Sequence, residues 1–322
     1  MWNGVRRIYA HAPASEEDML MTRYGMVVDI ARCNGCYNCF IACRDEHCGN
    51  DFPPYSRSQP ETGHYWMRLV EKERGRFPKV KVAYTAIPCM QCDKPRCVEV
   101  AEASVPAGEP APIYRRPDGI VVIDPDRATG RNDLLGSCPY RVIFWNEELD
   151  LPQKCTFCAH LLDRGWKEPR CVEACPTRAL RFGDLDDPQS EVAQLVASGR
   201  TELLRPEYRM QDKVTYISLP KRFVAGTVVF GDTDACGEGA QVMLRPVDGA
   251  GGAAVTCAAD NYGDFEFEDL PPGASYTVAV AAPGYESREA AVRTHQDVYM
   301  GEIVLQPLVA AGKPARPDGG GA

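Results

Sequence analysis

The stretch Cys33-Asn34-Gly35-Cys36-Tyr37-Asn38-Cys39-Phe40-Ile41-Ala42-Cys43 reads C-x2-C-x2-C-x3-C. Close steps let the first three thiolates converge on one cubane [4Fe–4S] core, while the fourth points away to a second core. Such a stretch requires a partner motif elsewhere. Cys155-Thr156-Phe157-Cys158, followed after twelve residues by Cys171-Val172-Glu173-Ala174-Cys175-Pro176, supplies it. The Cys-Pro ending marks the last ligand of a ferredoxin-type motif. Cross-ligation then assigns Cys33, Cys36, Cys39 and Cys175 to one cluster, and Cys155, Cys158, Cys171 and Cys43 to another.

Two incomplete motifs lie between these. Cys89, Cys92 and Cys97 are three ligands of a C-x2-C-x4-C-x3-C pattern whose fourth position holds Ala101. Cys138-Pro139 ends a pattern whose first three positions are Ala128, Arg131 and Leu134. The losses follow a rule. Cys89, Cys92, Cys97 and Cys138 make one complete set under the same cross-ligation, and the missing residues make one whole absent set. The spacing therefore predicts three [4Fe–4S] clusters on these twelve cysteines, as iron ligands, and one vacant site. In a line of clusters the vacant site is expected at the end, filled by Ala101, Leu134 and the loop Pro106–Pro117, with Arg131 paired to an acid or turned to solvent. A structural zinc on Cys155, Cys158, Cys171 and Cys175 is the alternative; the interlocked motifs and the Cys-Pro endings favour clusters. Cys48 reads as a spare small residue, and Cys236 and Cys257 as core or loop residues. The five histidines show no ligand spacing and read as structural or surface groups, and Trp66, Trp145 and Trp166 as packing groups.

The chain has 322 residues, enough for two domains. Thirteen of its fifteen cysteines fall between Cys33 and Cys175, as metal ligands do and disulfide frameworks of small secreted domains do not. The formal net charge is −9, most of it carried from Lys221 onward, which argues against a nucleic-acid surface. No apolar run reaches the ~18 residues of a membrane-spanning helix, so no direct membrane insertion is expected. Met1–Met21 lacks an apolar signal core, so a cytoplasmic protein is expected, or one exported with a partner that carries the signal.

In chain order, an irregular leader over 1–24 precedes a strand over 24–30 and a short helix over 39–45. Residues 48–64 read as a loop. Strands follow at 65–71, 79–84, 120–124 and 142–145, then an amphipathic helix over 191–205. From Phe223 the pattern changes to short alternating strands at 224–230, 241–245, 253–258, 264–268, 276–281 and 298–305, separated by turn signals. That is the pattern of a small β-sandwich. Residues 309–322 are rich in Gly, Pro and Ala and read as a flexible tail. The expected class is α+β: a tandem ferredoxin-like iron–sulfur domain over 1–220, a sandwich domain over 221–308, and the tail.

Residues 24–190 resemble the iron–sulfur electron-transfer subunits of molybdopterin oxidoreductases related to dimethyl sulfoxide reductase. The resemblance is carried by Asp118-Gly119-Ile120-Val121, Cys138-Pro139-Tyr140, and Pro169-Arg170-Cys171-Val172-Glu173-Ala174-Cys175-Pro176-Thr177 followed by Phe182-Gly183-Asp184-Leu185. Three clusters followed by a sandwich is most similar, within the family, to the small subunits of pyrogallol–phloroglucinol transhydroxylases and related catechol dehydroxylases. Gly226-Thr227-Val228, Gly263-Asp264-Phe265-Glu266-Phe267 and Leu270-Pro271-Pro272-Gly273 resemble carboxypeptidase-regulatory or Cna-B-like β domains. The resemblance implies an electron-transfer subunit that makes no bonds itself. It implies docking on a large catalytic subunit that alone holds molybdopterin with molybdenum or tungsten, acting on a polyhydroxylated aromatic, with a soluble electron donor as a further partner. Other readings are a subunit of a respiratory sulfur- or oxide-acceptor reductase, a free-standing polyferredoxin, and a scaffold whose clusters never turn over.

Overall fold

The computed structural model describes residues 22–247 and 252–308; most of the expected leader and the whole expected tail lie outside the described residues. The described residues fall into two compact units. One contains the residues up to Lys72 together with Ala83–Leu219, the other Glu73–Val82 together with the residues from Pro220 onward.

In the first unit β1 (Tyr24–Asp29) enters the first cysteine loop and α1 (Asn38–His47) leaves it. β2 (Arg68–Arg76) and β3 (Lys79–Ile87) form a two-stranded hairpin whose tip belongs to the second unit. Then come α2 (Arg96–Ala103), the paired β4 (Ile113–Arg115) and β5 (Val121–Ile123), α3 (Pro125–Ala128), and the paired β6 (Phe144–Asn146) and β7 (Leu151–Gln153). The last cysteine block carries α4 (Ala159–Leu162) and α5 (Arg170–Glu173), followed by β8 (Leu180–Asp184), α6 (Glu191–Ala197) and β9 (Val214–Ile217).

β1 is the central strand of a three-stranded sheet, antiparallel to β8 with Val28 opposite Leu180, and parallel to β9 with Met26 opposite Val214. Both faces of β1 are covered. Val27 packs with Val192 of α6 and Ile217 of β9, while Met26 and Val28 join the larger core with Trp66, Met67, Met90 and Tyr216. A strand buried on both faces needs an apolar run rather than an alternation, which is why Met26-Val27-Val28 reads as it does. α6 stops well short of the expected residue 205. Ser198 is its C-cap, and Gly199 follows in the left-handed region at φ +68°, the usual way a helix ends.

The second unit is a sandwich of two sheets. β10 (Arg222–Phe230), β11 (Gln241–Pro246), β12 (Val255–Ala258), β13 (Asp264–Leu270), β14 (Ser275–Ala281), β15 (Arg288–Arg293) and β16 (Val298–Leu305) are ordered β13-β10-β16 in one sheet and β12-β11-β14-β15 in the other. Val224, Val228, Val242, Leu244, Phe265, Phe267, Tyr276, Val278 and Val280 fill the space between them. β15 has no counterpart among the expected strands. It is an edge strand paired only with β14, and its Arg-Glu-Ala-Ala-Val-Arg sequence is largely exposed, so it lacks the alternation that marks a half-buried strand. The β2–β3 tip joins this unit through charge. Lys79 pairs with Asp264 at 2.6 Å and Lys81 with Glu266 at 2.5 Å, setting a basic strand beside an acidic one.

Gly263 shapes the turn before β13. Its φ is +77°, and an added Cβ would stand 2.3 Å from the Val228 carbonyl oxygen. Gly263→Ala is therefore expected to destabilise the sandwich by about 1–3 kcal/mol, the scale of a strained left-handed residue, read as a lower thermal midpoint.

Candidate iron–sulfur centres

The cysteine loops curl because several of their residues adopt left-handed backbone. Gly35 (φ +73°) and Tyr37 (+61°) bend the first loop, Gln91 (+48°) the second, and Phe157 (+52°) and Cys158 (+51°) the third. Such turns bring thiols that are close in sequence to one side of the chain. Non-glycine residues hold this conformation only where the surroundings impose it, and it concentrates at functional sites.

Packing of α1 against α5 then brings distant motifs together. Burial pushes the Cys39 thiol up to about 12, and Cys33, Cys175 and Cys36 around it add to the effect. Burial holds Cys43 well above the usual thiol range, reinforced by Cys155 and Cys158 more than by Cys39 of its own loop. Burial does the same for Cys171, whose neighbours are Cys158, Cys43 and Cys155. Cys89, Cys92, Cys97 and Cys138 line one pocket together with Val121, Tyr140, Ile143 and Lys154, with about 360 Å³ of empty volume counting the part open to solvent. The thirteen nearby cysteines thus resolve into three groups of four and one remainder. Cys48 is the remainder, half-buried against Arg44 and the Pro60 carbonyl.

Cys39 stands near Cys43 and Cys171, and Cys89 near Cys155, so the Cys43, Cys155, Cys158 and Cys171 group adjoins both of the others.

The surroundings suit an iron–sulfur centre. Burial disfavours a thiolate in all three groups, yet backbone N–H groups are aimed at the sulfurs. Those of Gly35, Met67, Val98 and Arg170 favour the charged forms of Cys33, Cys43, Cys97 and Cys158, and the Phe157 N–H donates to Cys155 Sγ at 3.4 Å. N–H donors to sulfur are how a protein orients and tunes such ligands.

The positions without cysteine are occupied by hydrocarbon. Ala101, Ala128 and Leu134 are fully buried and form one apolar cluster with Val98, Ile113, Val121, Ile123, Ile143 and Leu151, against which Cys97 and Cys138 pack. None of the other two cysteine groups belongs to that cluster. Arg131 leaves it, with Nε and Nη2 donating to Asp133 at 2.8 and 2.7 Å and Nη2 also to Ser104 Oγ at 2.7 Å.

Sequence reasoning passed over His47. Its imidazole is 1% exposed, and Nε2 stands 3.7 Å from Cys158 Sγ. Burial pushes it down to about 3, so the neutral ring faces the sulfur. No ligand spacing reveals it, because it acts from the last turn of α1 on a residue 111 positions away. Asp212 was passed over for the same reason. Its Oδ1 accepts from Cys92 Sγ at 3.3 Å, while its other oxygen accepts from the Tyr140 hydroxyl.

Comparison with known proteins places the chain in a family. A 4Fe–4S dicluster domain model matches residues 80–185, and a carboxypeptidase regulatory-like domain model matches residues 224–306. The chain is 39% identical over 293 residues to the pyrogallol hydroxytransferase small subunit of Pelobacter acidigallici, covering 88% of this chain and all of that one. It is 38% identical over 188 residues to protein NrfC of Escherichia coli strain K12, covering 58% of this chain and 74% of that one. It is 30% identical over 243 residues to the arsenate respiratory reductase iron–sulfur subunit of Shewanella sp. strain ANA-3, covering 61% of this chain and 96% of that one. Among solved structures, shaft pilin SpaA of Lactobacillus rhamnosus GG covers 31% of this chain and 50% of that one at 12% identity and a TM-score of 0.27, too slight a likeness to carry an argument. The dicluster match, the identity over the whole length of the pyrogallol hydroxytransferase small subunit and the similarity to an arsenate reductase iron–sulfur subunit lead to one conclusion: the chain belongs to the iron–sulfur electron-transfer subunits of the molybdopterin oxidoreductases related to dimethyl sulfoxide reductase.

Proposed function

We propose that this chain carries three [4Fe–4S] clusters and relays electrons for a large molybdopterin subunit that acts on polyhydroxylated aromatics by hydroxyl transfer or reductive dehydroxylation. The observation that carries the substrate class is the 39% identity to the pyrogallol hydroxytransferase small subunit, which extends over that protein's whole length. NrfC and the arsenate reductase subunit match over smaller shares of this chain, which favours the aromatic reading over a respiratory one.

In this reading Cys33, Cys36, Cys39 and Cys175 hold the first cluster, Cys43, Cys155, Cys158 and Cys171 the second, and Cys89, Cys92, Cys97 and Cys138 the third. A bound cluster supplies one-electron redox chemistry, with a potential set by hydrogen bonds, charge and burial. The chain's own residues bring the three sites into a row, exclude water from the inner sulfurs and aim N–H donors at them. The apolar cluster at Ala101, Ala128 and Leu134 adjoins the third site alone, so an end position was lost and the row stays unbroken. The domain division follows: residues 1–220 with the clusters, residues 221–308 as a sandwich that supports docking or stability without ligands, and a tail at 309–322. The hairpin tip 73–82 serves the sandwich.

Iron and acid-labile sulfide in anaerobically prepared chain are expected at about twelve each, four per cubane; about sixteen would place a cluster where Leu134 sits, and about eight would remove one assigned set. Cys43→Ala is expected to damage the second cluster, on Cys155, Cys158 and Cys171, and leave the first intact. Damage confined to the first, seen in the reduced-state spectrum, would refute the pairing. Affinity purification of the chain from its own cells tests the function. A large molybdopterin protein in stoichiometric amount, with transhydroxylase or dehydroxylase activity on a polyhydroxylated aromatic, is the expected result. A monomer alone, or a partner active on an oxyanion, would overturn it.

A further inference from the structure

Lys154 is a buried cation without an anion. Its side chain is 2% exposed. Nζ donates to the Val121 carbonyl and, at 3.1 Å, to the Cys155 carbonyl. Among the described residues no carboxylate pairs with it. Lys213, equally buried, lies 3.9 Å from Asp93. An ammonium taken out of water is strongly penalised unless a negative charge stands nearby, and two carbonyls do not provide one.

The surroundings show where that charge belongs. Lys154 lines the pocket of Cys89, Cys92, Cys97 and Cys138. It directly precedes Cys155 of the neighbouring group. Gln91 completes the link, donating from Nε2 to the Cys155 carbonyl at 3.0 Å and accepting the Val121 N–H at 2.7 Å. A cubane on four thiolates carries net negative charge that grows with each electron taken up, so a fixed cation beside it stabilises the reduced state more than the oxidised one.

We propose that Lys154 is the buried counter-cation of the site formed by Cys89, Cys92, Cys97 and Cys138, and raises its reduction potential relative to an uncharged residue at that place. This rests on the reading of the chain as a three-cluster electron carrier. Nothing in the sequence pattern marks Lys154 beyond its place before Cys155.

The test is a redox titration, followed by electron paramagnetic resonance, of full-length chain reconstituted anaerobically with iron and sulfide, comparing wild type with Lys154→Gln, Lys154→Met and Lys154→Arg. The expected result is unchanged iron content, a shift of one midpoint to more negative potential in the Gln and Met proteins, and a wild-type midpoint in the Arg protein. Loss of one cluster's iron from the Gln and Met proteins but not from the Arg protein also carries the inference, since charge is what separates them. Full iron with unmoved midpoints in the uncharged variants overturns it. Iron loss in the Arg protein as well overturns it too, because the role is then packing. Wild-type chain with no reducible iron overturns the electron-carrier reading itself, a result distinct from the others.

Discussion

One crossing governs the first unit: α1 lies on α5, and through it Cys43 of the first loop stands beside Cys171 of the last. Residues more than a hundred positions apart must meet before either loop has four thiols around it. The cost of closing so long a loop is offset only when the core of Met26, Trp66, Met90 and Tyr216 closes around both. Fold and centre are therefore one problem. The left-handed turns at Tyr37, Gln91 and Cys158 make sense only once thiols are gathered by that closure.

In the proposed three-cluster reading, the same closure explains why loss of one site leaves the others undisturbed. Cross-ligation ties each group to two loops, so removing a single cysteine from an interior group would orphan thiols on both. At the positions without cysteine, Ala101, Ala128 and Leu134 contribute hydrocarbon to one small core, and Arg131 turns away to Asp133. The hydrocarbon core abuts Cys97 and Cys138 and leaves the row from Cys39 through Cys43 and Cys155 to Cys89 continuous.

Much of this was legible in the sequence because iron–sulfur ligation imposes short, fixed spacings. The cysteine groups, the strand before Cys33, the change of character at Phe223 and most sandwich strands all carry local signals. What stayed hidden depends on distance. His47 meets Cys158, Asp212 meets Cys92 and Lys154 enters a pocket of cysteines through tertiary packing alone, so no window of sequence reports them. β15 escaped notice because an exposed edge strand has no face to bury, and α6 was overextended because the apolar spacing runs past Gly199, where the backbone turns left-handed. The basic hairpin tip was assigned to the iron–sulfur part, since the acids it pairs with, Asp264 and Glu266, lie nearly two hundred residues away.

The central claim is that three cluster sites stand in a row ended by a hydrocarbon plug. Anomalous scattering at the iron edge from anaerobic crystals of the iron-loaded chain tests it most directly. Three iron peaks are expected within this chain, one inside each cysteine group, with the peak among Cys43, Cys155, Cys158 and Cys171 between the other two and no iron among Ala101, Ala128 and Leu134. A peak at the plug, or an empty cysteine group in fully loaded protein, would contradict the account.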